Sequence, residues 1–277
     1  MRPYLFRSGA FRAVYEGQYL FKCDGCGLGQ IDCSTLDESK LGSYYKYDYR
    51  RVTNIGNVTS ESAKLYYEAR GAALVHAVER FANGNVARIF EIGAGHGFNL
   101  LAAKQRFPNA TLFTDEPDDA ITQAAVINRG SLDEGPYDAV ILSHVLDHIA
   151  DPIVQLHRVS RALRPGGVLV IEVPNENLSV ASYQGCDEPH VSFFDRATLT
   201  KVLGKVKNLM VTDIFTAGRS RSQSNPKSIR SIARTAAYSV PILENLLTQR
   251  LKKRGMDFTT PTEDGMFLRT VLVRQQG

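Results

Sequence analysis

Four cysteines in 277 residues are too few for a disulfide scaffold. No apolar run approaches the roughly 18 residues of a membrane span, and Met1-Arg2-Pro3-Tyr4-Leu5 lacks the apolar stretch of a signal peptide. A cytoplasmic protein is expected. No repeat of solenoid period is present. Neither sign of charge dominates: 33 Lys and Arg stand against 29 Asp and Glu, a net charge of +4. The composition, 43% hydrophobic and 22% charged, excludes disorder and collagen-like repeats. At about 100–200 residues per domain, the length implies one large domain, alone or with a small appendage.

What is there is uneven. Residues 201–277 carry 14 basic against 5 acidic side chains, and residues 1–200 carry 19 against 24. An anionic partner for the basic region is expected. Three cysteines cluster, Cys23, Cys26 and Cys33, and Cys23-Asp24-Gly25-Cys26-Gly27 has the form of one zinc knuckle. A structural zinc needs four ligands, so this set is incomplete; Cys186 is remote. Residues 1–57 are rich in tyrosine, including Tyr44, Tyr45, Tyr47 and Tyr49, and read either as a packed cap or as an aromatic lid in which Tyr45 and Tyr47 meet a substrate.

From residue 58 the order alternates. Thr59 or Ser60 starts a helix to about Asn83. Strands are predicted at 87–92, 110–114, 137–143, 167–173, 209–216 and 267–274, and helices at 97–107, 118–124, 152–163 and 195–205. Pro165-Gly166-Gly167 is the expected stop of the third of these helices. Solidly apolar strands alternating with helices mean an α/β fold, a parallel sheet covered on both faces. Residues 217–266 form a long basic insertion between the last two strands. It has nine basic side chains and one acid within 216–256, and apolar spacing suited to two helices, at 229–236 and 242–251.

Glu91-Ile92-Gly93-Ala94-Gly95-His96-Gly97 turns the first strand into a helix. The spacing is G-x-G-x-G, not the dinucleotide G-x-G-x-x-G, and no Gly-Lys-Ser/Thr follows. Such glycines admit a ligand close to the backbone. A carboxylate at Glu91 repels a pyrophosphate and suits an ammonium. The next strand ends at Asp115-Glu116, where either acid can accept hydrogen bonds from both hydroxyls of a ribose.

In order and spacing, residues 85–215 resemble the class I S-adenosylmethionine-dependent methyltransferases. The resemblance is carried by Arg88–Leu100, Leu112–Pro117, Pro136–His148 and Ala162–Asn175. It implies a doubly wound, mostly parallel seven-stranded Rossmann-like sheet with S-adenosyl-L-methionine as cofactor. It places the methionine part on Glu91, Gly93, Ala94, Gly95 and Gly97 and the ribose on Glu116, with Asp115 beside it. Ser131 and Leu132 would flank the adenine, and Ser143 and His144 would line the site. Asp147 stands where the family often has Glu. Cys-x-x-Cys-Gly-Leu and Tyr44-Tyr45 also resemble a subset with an N-terminal zinc ribbon, which includes sugar C-methyltransferases. Those enzymes usually carry a further C-terminal domain, for which 277 residues leave no room.

The loop from Pro174 to Phe194, at the carboxyl ends of the strands, holds Asp187-Glu188-Pro189-His190. His190 titrates near neutrality and is the expected general base, oriented by Asp187 or Glu188. His144 is a further catalytic candidate. The insertion, with Arg219 and Arg221, is expected beside a small-molecule acceptor, either as a solvated cap or as a phosphate contact. RNA or an anionic membrane surface is a weaker alternative. The expected function is O-methylation of a sugar or saccharide-derived molecule. Sugar C-methylation and a non-catalytic, cofactor-binding scaffold are the alternatives.

Overall fold

A computed structural model of the chain describes residues 2–3, 5–6, 19–34, 37–49, 60–118, 126–176, 184–186, 190–220, 241–254 and 256–276. The N-terminal part contributes short strands β1 (Arg2–Pro3), β2 (Leu5–Phe6), β3 (Tyr19–Lys22) and β4 (Gly29–Ile31). A helix α1 (Glu38–Ser43) then widens into a π-helical turn over Tyr44–Asp48.

Helix α2 (Glu61–Phe81) begins at Ser60, whose hydroxyl accepts the Ala63 N–H. Next come β5 (Arg88–Ile92), α3 (Phe98–Arg106), β6 (Thr111–Thr114), β7 (Asn128–Arg129) and β8 (Tyr137–Ser143). Helix α4 (Pro152–Ala162) opens with Asp151 accepting from the N–H groups of Ile153 and Val154, with proline in the first turn. Then follow β9 (Leu163–Pro174), β10 (Gln184–Cys186), β11 (Ser192–Phe193), α5 (Arg196–Leu203), β12 (Leu209–Ser220), α6 (Pro241–Arg254) and β13 (Gly265–Arg274).

Seven strands make the main sheet in the order β12-β13-β9-β8-β5-β6-β7. All neighbours are parallel except β13, which runs antiparallel to both β12 and β9. The carboxyl ends of six strands therefore share one edge. Along β8 the period of two is plain: Val140 and Leu142 join the core under α4 and α5, while Ala139 and Ile141 join the core under α2 and α3.

The strand expected at 167–173 begins earlier. Arg164 precedes Pro165, which holds it in extended backbone, so α4 ends at Ala162 and Leu163 already pairs with Tyr137. Two-residue β7 was too short to leave a period in the sequence. Most of the expected helix over 118–124 and the first helix of the insertion lie outside the described residues. Among the described residues no helix is long and apolar enough to cross a membrane.

The segments on either side of residue 58 are interwoven. β11 pairs with β4 in a four-stranded sheet β1-β3-β4-β11, and β10 pairs with β2. The N-terminal strands thus grip the loop that follows β9.

Candidate active site

A cavity of about 940 Å³ opens over the carboxyl ends of β5, β6, β8 and β9. This is the edge where ligands bind in open α/β sheets. Its floor is the loop after β5. Gly93, Gly95 and Gly97 all take positive φ, between 58° and 77°, a conformation that side chains with a Cβ rarely adopt. Asp115 Oδ1 accepts the Gly93 N–H at 3.0 Å, and Glu116 Oε2 accepts the Gly95 N–H at 2.7 Å. Both acids line the cavity. Burial pushes the Asp115 carboxyl above its ordinary value.

Glu91 sits at the end of β5, 1% exposed and on the cavity wall. Asn99 donates to its Oε1 at 2.6 Å, and its Oε2 is buried without a hydrogen-bond partner. Burial pushes its carboxyl up to about 8, against the Asn99 hydrogen bond. An orphaned carboxylate oxygen beside a positive-φ glycine loop fits a ligand that brings an ammonium.

Behind this floor lies a buried charge cluster that the sequence reading missed. Glu172 on β9 and Arg269 on β13 are both 0% exposed and directly opposite in register. Arg269 binds Glu172 through Nε at 3.0 Å and through Nη2, and the Phe258 carbonyl through Nη1 at 2.8 Å. Arg70 from α2 donates to Glu172 Oε1 at 2.6 Å and to Ser143 Oγ at 2.9 Å. Burial would raise the Glu172 carboxyl, but the two guanidiniums and His144 outweigh it and hold it at about 2. A charge inside each of two apolar strands, Val170-Ile171-Glu172-Val173 and Phe267-Leu268-Arg269, was the available signal.

The other end of the cavity is built on imidazoles. His190 Nδ1 lies 3.2 Å from Glu176 Oε2, and its Nε2 lies 3.2 Å from Asp147 Oδ2. His148 Nε2 is 3.4 Å from the same Asp147 oxygen, and its Nδ1 is 3.2 Å from the Tyr45 hydroxyl. The partners of His190 seen here are therefore Asp147 and Glu176; Asp187 and Glu188 lie outside the described residues. The N-terminal strands position this loop. Ile31 donates its N–H to the Val191 carbonyl at 2.9 Å, Gln30 reaches Ser192 Oγ and the Ala150 carbonyl, and Val191 donates to the Asp147 carbonyl. His144 takes φ 54°, lies 3.8 Å from Glu172 and packs against Phe267.

Several expectations are placed differently. Tyr45 and Tyr49 line the cavity, but Tyr47 is 68% exposed, because the helical turn carries residues four apart to one side and points Tyr47 away. Leu132 is buried in the core rather than on the cavity wall, and Ser131 caps the short turn Leu132–Glu134. Gly97 serves as the N-cap of α3. Cys23, Cys26 and Cys33 are free thiols and do not converge on one point among the described residues; Cys23 and Cys26 instead pack against the core, and burial pushes Cys33 up to about 11. Arg221 lies outside the described residues, as does the side chain of Arg219.

A family model described as a methyltransferase domain matches residues 66–207, half of the chain. The chain belongs to the methyltransferase-domain family. No curated protein matches it. Among solved structures it is similar to the plantazolicin methyltransferase BpumL in complex with a monoazolic desmethylPZN analog and SAH. That match has 16% identity and a TM-score of 0.54, over 85% of this chain and 94% of that one. BpumL in complex with SAH gives 15%, 0.54, 85% and 94%. The complex between the Haloferax volcanii Trm112 methyltransferase activator and a methyltransferase gives 16%, 0.51, 83% and 98%. At these identities the likeness is one of fold, the class I Rossmann-like sheet. The matched methyltransferase domain contains Arg70, the glycine loop, Asp147 and His190, whereas Tyr45, Tyr49, Phe267 and Arg269 reach the cavity region from outside it.

Proposed function

We propose that the chain is an S-adenosyl-L-methionine-dependent methyltransferase that methylates oxygen on a sugar, saccharide-derived or related small-molecule acceptor. The observation that carries the cofactor is the orphaned Glu91 Oε2 beside the glycine loop. When bound, the cofactor supplies a sulfonium-activated methyl whose bond to sulfur is exchanged for one to the acceptor oxygen, the electron pair staying on sulfur. Glu91 receives the ammonium, Gly93, Ala94 and Gly95 let the methionine part lie on the backbone, and Asp115 and Glu116 take the ribose hydroxyls. Ser143 and His144 close the wall behind.

At about 940 Å³ the cavity is at the upper end of the ~300–1,000 Å³ of ligand pockets, with room for cofactor and acceptor together. Tyr45, Tyr49, Tyr66 and Tyr67 line it, and their faces and hydroxyls suit a saccharide. A phosphate on the acceptor fits the basic stretch of residues 217–266. The chain's main contribution is alignment, worth ~7–11 kcal/mol when complete. The acceptor proton leaves beside His190.

The test is calorimetric titration with S-adenosylhomocysteine, followed by turnover of labelled S-adenosylmethionine on a panel of saccharide acceptors with fragmentation mass spectrometry of the product. His190→Ala is expected to keep cofactor affinity and to lower turnover by ~10²–10⁴, the range of acid–base help. Absence of S-adenosylhomocysteine binding overturns the cofactor, and a methyl group found on carbon overturns the acceptor atom.

A further inference from the structure

We infer that Asp147, His148 and His190 form a binding site for a borderline divalent cation of the zinc class at the acceptor end of the cavity. Its place beside the acceptor rests on the methyltransferase reading above; the binding itself does not.

The three side chains come from two segments, the turn after β8 and the residue leading into β11, and each offers one ligand atom within 4.8 Å of the others. Asp147 Oδ2 stands 3.4 Å from His148 Nε2 and 3.2 Å from His190 Nε2. Metal–ligand bonds of ~2.0–2.1 Å in a tetrahedron place neighbouring ligands about 3.3 Å apart. Asp147 is 1% exposed, and neither carboxylate oxygen has a hydrogen-bond partner. The two imidazoles are near enough to pair with it but are not aligned to donate. A carboxylate buried in this way is costly unless a cation meets it.

The outer contacts agree. His190 Nδ1 faces Glu176 Oε2 and His148 Nδ1 faces the Tyr45 hydroxyl, each at 3.2 Å. Ligating histidines are held by such partners on the second nitrogen, which leaves Nε2 for the metal. Two imidazoles and one carboxylate suit zinc and its neighbours. His148 and His190 line the cavity while Asp147 lies behind them, so the remaining coordination position opens towards the acceptor. Three protein ligands and one open position is the arrangement of a catalytic site, not a structural one. A cation there polarises an acceptor hydroxyl and lowers its pKa, and the proton is released to water as the methyl transfers. His190 then acts as a ligand, not as a bare base.

The experiment uses the full chain carrying Cys23→Ser, Cys26→Ser and Cys33→Ser, so that no clustered thiolate competes. It is titrated with Co²⁺, read by visible d–d absorption, and with Zn²⁺ by calorimetry, each with S-adenosylhomocysteine binding measured in parallel. One ion per chain is expected. Glu176→Gln should weaken it by ~10–100-fold, as outer partners do, and Asp147→Asn and His148→Asn by more than that. If Asp147→Asn loses S-adenosylhomocysteine binding through misfolding, His148→Asn carries the test. A parent chain that binds neither ion, or variants that bind as well as the parent, overturns the site. The same result with S-adenosylhomocysteine binding intact leaves the methyltransferase reading standing. Loss of S-adenosylhomocysteine binding by the parent overturns that reading, while the Co²⁺ titration still decides the site.

Discussion

Glu91 is the residue whose two charge states separate the empty protein from the loaded one. Its carboxyl titrates at about 8 in the fold against 4.5 when unhindered, because burial penalises the anion. Between those values the native state holds a proton that the unfolded state has lost, so this residue makes stability fall as pH rises from about 4.5 to about 8. Glu91→Gln removes that dependence. The variant is expected to melt higher than the parent without cofactor, by a margin that grows across this window and levels off above pH 8. It should also bind S-adenosylhomocysteine roughly 10–100-fold more weakly, through loss of a charge-assisted contact. Binding to the parent at pH 7 should expel close to one proton, visible as heats that change with buffer ionisation enthalpy. The sequence made this residue legible because its position before the glycine loop leaves few roles for an acid. It did not make Asp147 and Glu176 legible as the partners of His190. Asp187 and Glu188, nearer along the chain, lie outside the described residues, and only the fold brings Asp147 and Glu176, 43 and 14 positions away, to the imidazole.

At the scale of elements, the site depends on how closely α2 lies on α3. Gly71 is buried on α2, and a Cβ there would stand 3.0 Å from the Phe98 carbonyl and 3.1–3.2 Å from Asn99. The same Asn99 holds Glu91. Helix propensity alone would favour a larger residue at this position by up to ~1 kcal/mol. Packing against backbone opposes it, at ~1–3 kcal/mol for an overpacked core. Gly71→Val is therefore expected to lower the melting temperature and to weaken S-adenosylhomocysteine binding together, checked by thermal denaturation and calorimetry on one preparation. Unchanged cofactor affinity would separate the helix contact from the site. The sequence predicts α2 from its periodicity and cap, but a glycine inside a helix says nothing of what it approaches. The start of β9 shows the same limit: Pro165-Gly166-Gly167 reads as a helix stop, while the restriction on Arg164 ends the helix two residues before it.

For the whole molecule, the alternation of apolar strands and helices gave the sheet and both its covered faces, because each strand is buried on two sides and reads as a solid apolar run. What it did not give is the weaving of the N-terminal strands into the loop after β9, since β1, β2 and β11 are two residues each and have no periodicity to read. The cavity is consequently walled by the tyrosine turn, α2, the glycine loop, the ends of β6 and β8, and β13. A ligand that binds only the native state stabilises it by ~2.7 kcal/mol at a hundred times its Kd. At ~2–4 °C per kcal/mol for a domain of 150–250 residues, S-adenosylhomocysteine at that excess should raise the melting temperature by roughly 5–10 °C. Because its walls come from both halves of the chain, hydrogen exchange should slow together in β5, in the turn after β8 and in β3–β4. Protection confined to β5 and β6, with β3–β4 exchanging as before, would mean that the N-terminal strands hold His190 without sensing the cofactor.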